Sequence, residues 1–293
     1  MPKVVLTQRA ESGYDDVPGE LYHFPRQYLK AAEEAREDGC LFYEPRRGDG
    51  RMAYWAAGRI SEIFDDRDRD DHYYARISDF MTFPVAVPFQ RADGSFWESK
   101  LARDDGLPSR GAMGWSIRRI PDHEFDLVLK AGFAPALGPE LDDRFSAQSG
   151  FEEEQFDFER PVFEQILQRK VRDRAFALQV RNAYDSRCAI TGLRLINGGG
   201  RAEIEAAHIK PVEDRGPDSI RNGIALSRTV HWMFDRGLLS VDRDFRLLVA
   251  TSLIPEGVER LFHPSGYVHV PDTARDQPGD TFLRWHRENR FKG

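Results

Sequence analysis

The first half of the chain reads mostly as strands, and the second half opens on a helical period. LFYEPRRGDGRMAYWAAGRISEIF holds two aromatic-rich runs around the polar turn Arg46–Gly50, which predicts a hairpin. HYYARISDFMTFPVAVPF alternates around Tyr73, Ala75 and Ile77, then runs apolar through Pro84 and Pro88. Proline cannot donate to a strand ladder, so these two predict edge positions or strand ends. Pro25–Asp38 predicts a short helix ended near Gly39, and IPDHEFDLVLKAG a second one with an Asp in its N-cap region and a glycine stop. Several short strands with one or two helices predict a small, partly closed β-barrel of about 130–140 residues.

Residues 138–159 are acidic, contain Gly and Ser and show no period, which predicts a linker. From Pro161 a helical stripe runs through Phe163, Ile166, Leu167, Val171, Phe176, Leu178, Val180 and Tyr184. CAITGLRL predicts a short strand or turn, NGGGR a tight connection, and EIEAAHI a strand. KPVEDRGPDSIRN is a long polar loop and GIAL a short apolar run. A helix follows with Ser227 at its N-cap, Val230, Met233 and Phe234 inward, and Gly237 as its stop. The organisation expected is therefore an α+β chain: residues 1–137 as one domain, 138–159 as linker, 160–293 as a second domain.

Composition narrows the class. Of the 293 residues, 40% are hydrophobic and 31% charged, a soluble globular balance. No apolar run reaches ten residues, too short to span a membrane, and MPKVVLTQRAESGYDD lacks the apolar core of a signal peptide. A cytoplasmic protein is expected. Two cysteines, Cys40 and Cys188, are too few for a disulfide framework or a four-cysteine zinc site. The net charge of −7 conceals an asymmetry: residues 160–293 carry 22 basic and 17 acidic residues, residues 1–159 carry 20 and 32. A basic domain beside an acidic linker is compatible with DNA binding, because a phosphate-binding surface is local.

The chemistry concentrates in AEIEAAHIKPVEDRGPDSIRNGIALSRTVHWMFDRG, residues Ala202–Gly237. His208 ends the predicted strand. His231 and Asp235 stand at i and i+4 on the predicted helix, so both point the same way and can share one divalent ion. The order His208, Asn222, His231, Asp235, with the words CAITG, EAAHIKP, NGIAL and HWMFDRG around it, resembles the HNH endonuclease family, in the subgroup without zinc-knuckle cysteines. The resemblance covers roughly Arg172–Asp244. It implies a ββα-metal fold in which His208 is the general base, Asn222 braces the loop, and His231 with Asp235 holds one metal ion. Mg²⁺ is the first expectation, with Mn²⁺, Zn²⁺ or Ni²⁺ as alternatives. A neutral histidine accepts a water proton at pH 7, and a metal stabilises charge on the phosphate and leaving oxygen. One departure stands out. The residue before the base is often a metal ligand in the family; here it is Ala207, and Glu205 on the same strand face is the expected substitute. Arg172, Arg174, Arg181 and Arg187 are expected to contact the DNA backbone.

The first half is similar to PUA-like domains of the group that reads modified bases, EVE domains among them. YHFPRQYL, LFYEP, YWAAGRI, YYARISDFMTFPVAVPF and WSIRRIPDHEFDLVL carry this looser likeness. It implies an extruded base held against aromatic walls, for which Tyr14, Tyr22, Phe24, Tyr43 and Trp55 are the candidates. Together the two likenesses imply a modification-dependent restriction endonuclease acting on DNA, with a homodimer as one route to a double-strand break. The alternatives are a nuclease gated by a small nucleotide or partner protein, and a non-catalytic DNA-binding module.

Overall fold

A computed structural model of the chain describes residues 3–8, 14–46, 50–103, 107, 109–137, 162–167 and 169–293. The expected linker, 138–159, lies outside the described residues, as do 47–49 of the expected turn. The chain divides into two compact units, Met1–Arg172 and Asp173–Gly293. Both mix helices with strands. No helix among the described residues is long and apolar enough to cross a membrane.

The first unit is built on β1 (Lys3–Thr7), β2 (Leu21–Pro25), β3 (Gly39–Glu44), β4 (Ala53–Asp65), β5 (His72–Pro88) and β6 (Ile117–Ile120), with α1 (Leu29–Glu34), α2 (Arg110–Met113) and α3 (Asp122–Leu137). The sheet order is β2-β5-β4-β3-β1-β6, antiparallel except for the parallel β1–β3 pair. Its long strands do not run flat. Register shifts fall between Phe42 and Tyr43 and at three places between β4 and β5. Each extra residue bends its strand and adds twist, which curls the sheet into a half-barrel. Pro88 ends β5 as expected. Pro84 instead sits inside β5, in the register break between Thr82 and Val87, and the β2 pairing covers only His72–Arg76, so no ladder bond needs its missing N–H.

Both sheet faces are covered. Val4, Leu6, Tyr22, Phe24, Phe42, Ile60 and Phe80 pack with α1 on one side. On the other, α3 lies against β4 and β5, with Phe133 edge-on to Phe83. The expected helix stop at Gly132 does not occur: α3 continues to Leu137. A Cβ at Gly132 would come within 2.4 Å of the Phe83 ring, so this glycine makes room for close helix–sheet packing and terminates nothing. The helix expected over Pro25–Asp38 is, by contrast, shorter, a 3₁₀ turn at Arg26–Tyr28 followed by α1.

This unit holds a buried ion pair. Arg118 donates from Nε and Nη2 to the Glu98 carboxylate at 2.9 and 2.7 Å and from Nη1 to Thr7 Oγ1 at 2.8 Å. Tyr54 donates its hydroxyl to Glu98 at 2.6 Å. Burial works against the Arg118 charge, but the hydrogen bonds and charge of Glu98 outweigh it and hold its pKa above the ordinary value.

The stripe after Pro161 forms two helices: α4 (Val162–Ile166), which belongs to the first unit, and α5 (Arg169–Ala183), which lies in the second unit from Asp173 on. The second unit continues with β7 (Glu205–His208), β8 (Gly223–Leu226), α6 (Arg228–Asp235), β9 (Leu239–Val241), β10 (Leu247–Val249) and α7 (Asp280–Asn289). β7 and β8 form an antiparallel pair in which His208 faces Gly223 and Ala207 faces Ile224. Val230, Met233 and Phe234 of α6 pack into the core behind that pair, with Val180 of α5 and Tyr184 just after it. Ser227 occupies the N-cap of α6, but its side chain makes no capping bond. Its backbone N–H instead meets Cys188 Sγ at 3.3 Å, and Thr191 N–H meets the same sulfur at 3.5 Å. Cys188 thus ties the CAITG turn to the start of α6 through hydrogen bonds and packing.

The C-terminal segment holds the other end of α6. His286 stacks on Phe234 with ring centroids 3.9 Å apart, accepts from Ser240 Oγ, and donates to the Phe234 carbonyl. It is 2% exposed, so it packs the core. Burial depresses its pKa to about 4. Between about pH 6.5 and pH 4 the unfolded chain therefore binds more protons than the folded one. Stability from this residue is present above pH 6.5 and lost as pH falls, on the order of 3 kcal/mol across the window. Thermal unfolding of wild type and His286→Gln at pH 7 and pH 4.5 checks this. The variant is expected to lose less on acidification, and equal losses would sink the assignment.

Candidate active site

His208 is fixed on three sides. Phe176 of α5 stacks on its ring at 3.9 Å with planes 5° apart. Its strand position is set by the Gly223 pairing. Its Nε2 lies 2.9 Å from Asp218 Oδ1. Nδ1 has no hydrogen-bond partner among the described residues and is not a buried orphan atom, so it is open to solvent. Asn222 is fully buried behind it. Its Oδ1 accepts from Lys210 N–H at 2.8 Å, and its Nδ2 donates to the Lys210 and Pro217 carbonyls at 2.9 and 3.0 Å. One carboxamide thus joins the two ends of the loop after β7. The crossing is close: a Cβ at Gly216 would lie 1.8 Å from the Lys210 carbonyl oxygen, so only glycine fits.

His231 stands between two carboxylates, one at each ring nitrogen. Its Nδ1 is 2.9 Å from Glu205 Oε2, and its Nε2 is 3.4 Å from Asp235 Oδ2. Glu205 also accepts from Arg228 Nε at 3.0 Å. Two donors on one octahedral ion with bonds of about 2.1 Å lie about 3 Å apart. The Nε2–Asp235 pair fits that spacing with small adjustment. Glu205 lies at the opposite nitrogen, and among the described residues no three such side chains converge on one point. Metal-bound imidazoles ordinarily give their other N–H to a carboxylate, and Glu205 stands where that carboxylate belongs. Ala207 packs into the apolar core, 1% exposed, so its position does not open toward a metal.

Residues 188–242 match the family model described as HNH endonuclease. This segment is an HNH endonuclease domain. It contains β7, β8, α6 and β9, and with them His208, Asn222, His231 and Asp235. No curated protein matches the chain in sequence. Among solved structures, the chain is similar to "Modification dependent TagI restriction endonuclease" at 14% identity and TM-score 0.32, over 97% of this chain and 80% of that one. It is also similar to "Structure of the Type IV phosphorothioation-dependent restriction endonuclease ScoMcrA" at 12% identity and TM-score 0.21, over 78% of this chain and 46% of that one. Both likenesses are too distant to fix fold or activity.

The arginines expected at DNA all lie before the HNH segment, which starts at residue 188. Arg172, Arg174 and Arg181 are half-buried on α5. Arg187 donates from Nη1 to the Gly192 carbonyl at 2.8 Å and so holds the CAITG turn. The aromatic candidates of the first unit separate into two groups. Tyr22, Phe24 and Tyr43 are enclosed, at most 2% exposed, and offer no free ring face. The Tyr22 hydroxyl donates to the Thr7 and Ser116 carbonyls and so pins β2 to the β1 and β6 ends. Tyr14 and Trp55 keep accessible surface, with Arg69 over the Tyr14 ring at 5.8 Å and Arg51 over the Trp55 ring at 5.3 Å. Sequence reasoning missed Asp218. It read as one polar residue in a polar loop, and no spacing rule links it to a histidine ten positions earlier.

Proposed function

We propose that the chain is a modification-dependent DNA endonuclease, with the HNH domain as its cutting centre and the first unit as its reader. The observation that carries the nuclease reading is the pairing, on one short strand and one helix, of a held histidine with an open Nδ1 and a His231–Asp235 pair at metal-ligand spacing. His208 Nδ1 takes the proton from a water molecule, and the resulting hydroxide attacks phosphorus. His231 Nε2 and Asp235 would hold a divalent ion, which when bound would supply Lewis-acid stabilisation of the phosphate and the leaving oxygen. Glu205 fixes the His231 ring from its other nitrogen. Arg172, Arg174 and Arg181 favour a polyanion along α5.

The reader half of the proposal rests on the PUA-like strand words and on the curled sheet with partly exposed Tyr14 and Trp55 at cationic neighbours. One HNH centre cuts one strand, so a double-strand break needs two subunits, as in a homodimer, or two successive encounters. The test uses matched DNAs that are unmodified, methylated, hydroxymethylated or glucosylated, with Mg²⁺ or Mn²⁺. Cleavage of a modified DNA alone is expected. Equal cleavage of all four removes the reader, and binding without cleavage in either metal removes the nuclease.

A further inference from the structure

We infer that Asp218 is a positioning residue for His208, and that Asn222 acts on His208 through it. The inference rests on the nuclease reading for its consequence in catalysis, and on geometry alone for the contact itself. Asp218 is 3% exposed, and its Oδ1 lies 2.9 Å from His208 Nε2. An ionised carboxylate only accepts, so Nε2 must be the nitrogen that carries the ring proton. The lone pair is then confined to Nδ1, the nitrogen with no partner among the described residues. Without Asp218 the ring is free to place its proton on either nitrogen, and every molecule with Nδ1–H has no base. The Phe176 stack fixes the plane of the ring, but a stack cannot choose between its nitrogens.

Asp218 does not hold itself in place. It directly follows Pro217, whose carbonyl accepts from Asn222 Nδ2 at 3.0 Å. Asn222 also binds both backbone groups of Lys210, two residues after His208. The same side chain therefore sets the strand end that carries the base and the loop end that carries its partner. When His208 takes a proton at Nδ1, the O–H bond of water breaks and an N–H bond forms. The positive ring is then stabilised by the Asp218 carboxylate, and the Nε2 proton stays where it was.

The test uses the full chain labelled with ¹⁵N at histidine, without metal for spectroscopy and with Mg²⁺ for kinetics. The His208 signals are identified by their loss in His208→Ala. Wild type is expected to show a protonated Nε2 and a bare Nδ1. Asp218→Asn presents an amide N–H to Nε2, and Asp218→Ala presents nothing. Both are expected to put protons on Nδ1 and to lower kcat about 10²- to 10³-fold, with KM within about threefold. Asn222→Ala is expected to shift the same signals, and its combination with Asp218→Ala to be no worse than the poorer single variant. The near-isosteric Asn variant decides the matter should the Ala variant not fold. A wild-type ring protonated on Nδ1, cleavage by both Asp218 variants within about threefold of wild type, or unchanged His208 signals in both would overturn the inference. If wild type cuts no DNA, the nuclease reading fails while the nitrogen shifts still decide whether Asp218 sets the ring.

Discussion

Replacing His208 by alanine is expected to lower DNA cleavage about 10³-fold while DNA binding changes little. The histidine is held by a stack, a strand pairing and a carboxylate, and one nitrogen is left free. Such a group acts on a proton in the transition state and adds little to ground-state affinity, so the loss falls on kcat. Single-turnover cleavage with saturating enzyme measures it directly. Added imidazole is expected to restore part of the rate, since it supplies a base without the tether. A variant that cuts at the wild-type rate would remove His208 from the reaction, and unaltered cleavage after chelation of divalent ions would remove the metal.

The largest loss of stability is expected at Glu98. Glu98→Gln leaves the Arg118 guanidinium buried beside a neutral amide, in a place where both partners are at most 1% exposed. An uncompensated buried charge costs about 3–5 kcal/mol. The double variant Glu98→Leu with Arg118→Met removes both charges and is expected to lose less than the single change. Urea unfolding of the three proteins separates these outcomes. A single-variant loss below about 1 kcal/mol would show that water or rearrangement satisfies Arg118. The consequence extends to the exposed Trp115, whose carbonyl accepts from the same Thr7 hydroxyl that accepts from Arg118.

What could be read from the sequence was what local pattern determines. The strand ending at His208 and the helix carrying His231 form where alternation and helical spacing put them. The parts that could not be read depend on residues distant in the chain. Gly132 looks like a helix stop until Phe83 is known to pack there. Tyr22, Phe24 and Tyr43 look like pocket walls until both faces of the sheet are seen to be covered. Ser227 has the right type for a cap, but the Cys188 sulfur from 39 residues earlier meets its backbone N–H. Asp218 meets His208 only because Asn222 closes the intervening loop, and that closure has no signature in spacing.

The tail beyond the family-matched segment has a consequence for how this nuclease can be moved between proteins. Gly237 closes α6 with φ +72°, and a Cβ there would sit 1.9 Å from the Arg290 carbonyl oxygen. Lys292 N–H bonds the Gly237 carbonyl at 3.0 Å. The helix bearing His231 and Asp235 is therefore clasped by the last residues of the chain, some 50 positions beyond the end of the matched segment at residue 242. A graft limited to residues 188–242 would carry the recognisable letters and leave their scaffold behind. A graft of the whole second unit, Asp173–Gly293, would keep both clasp and site.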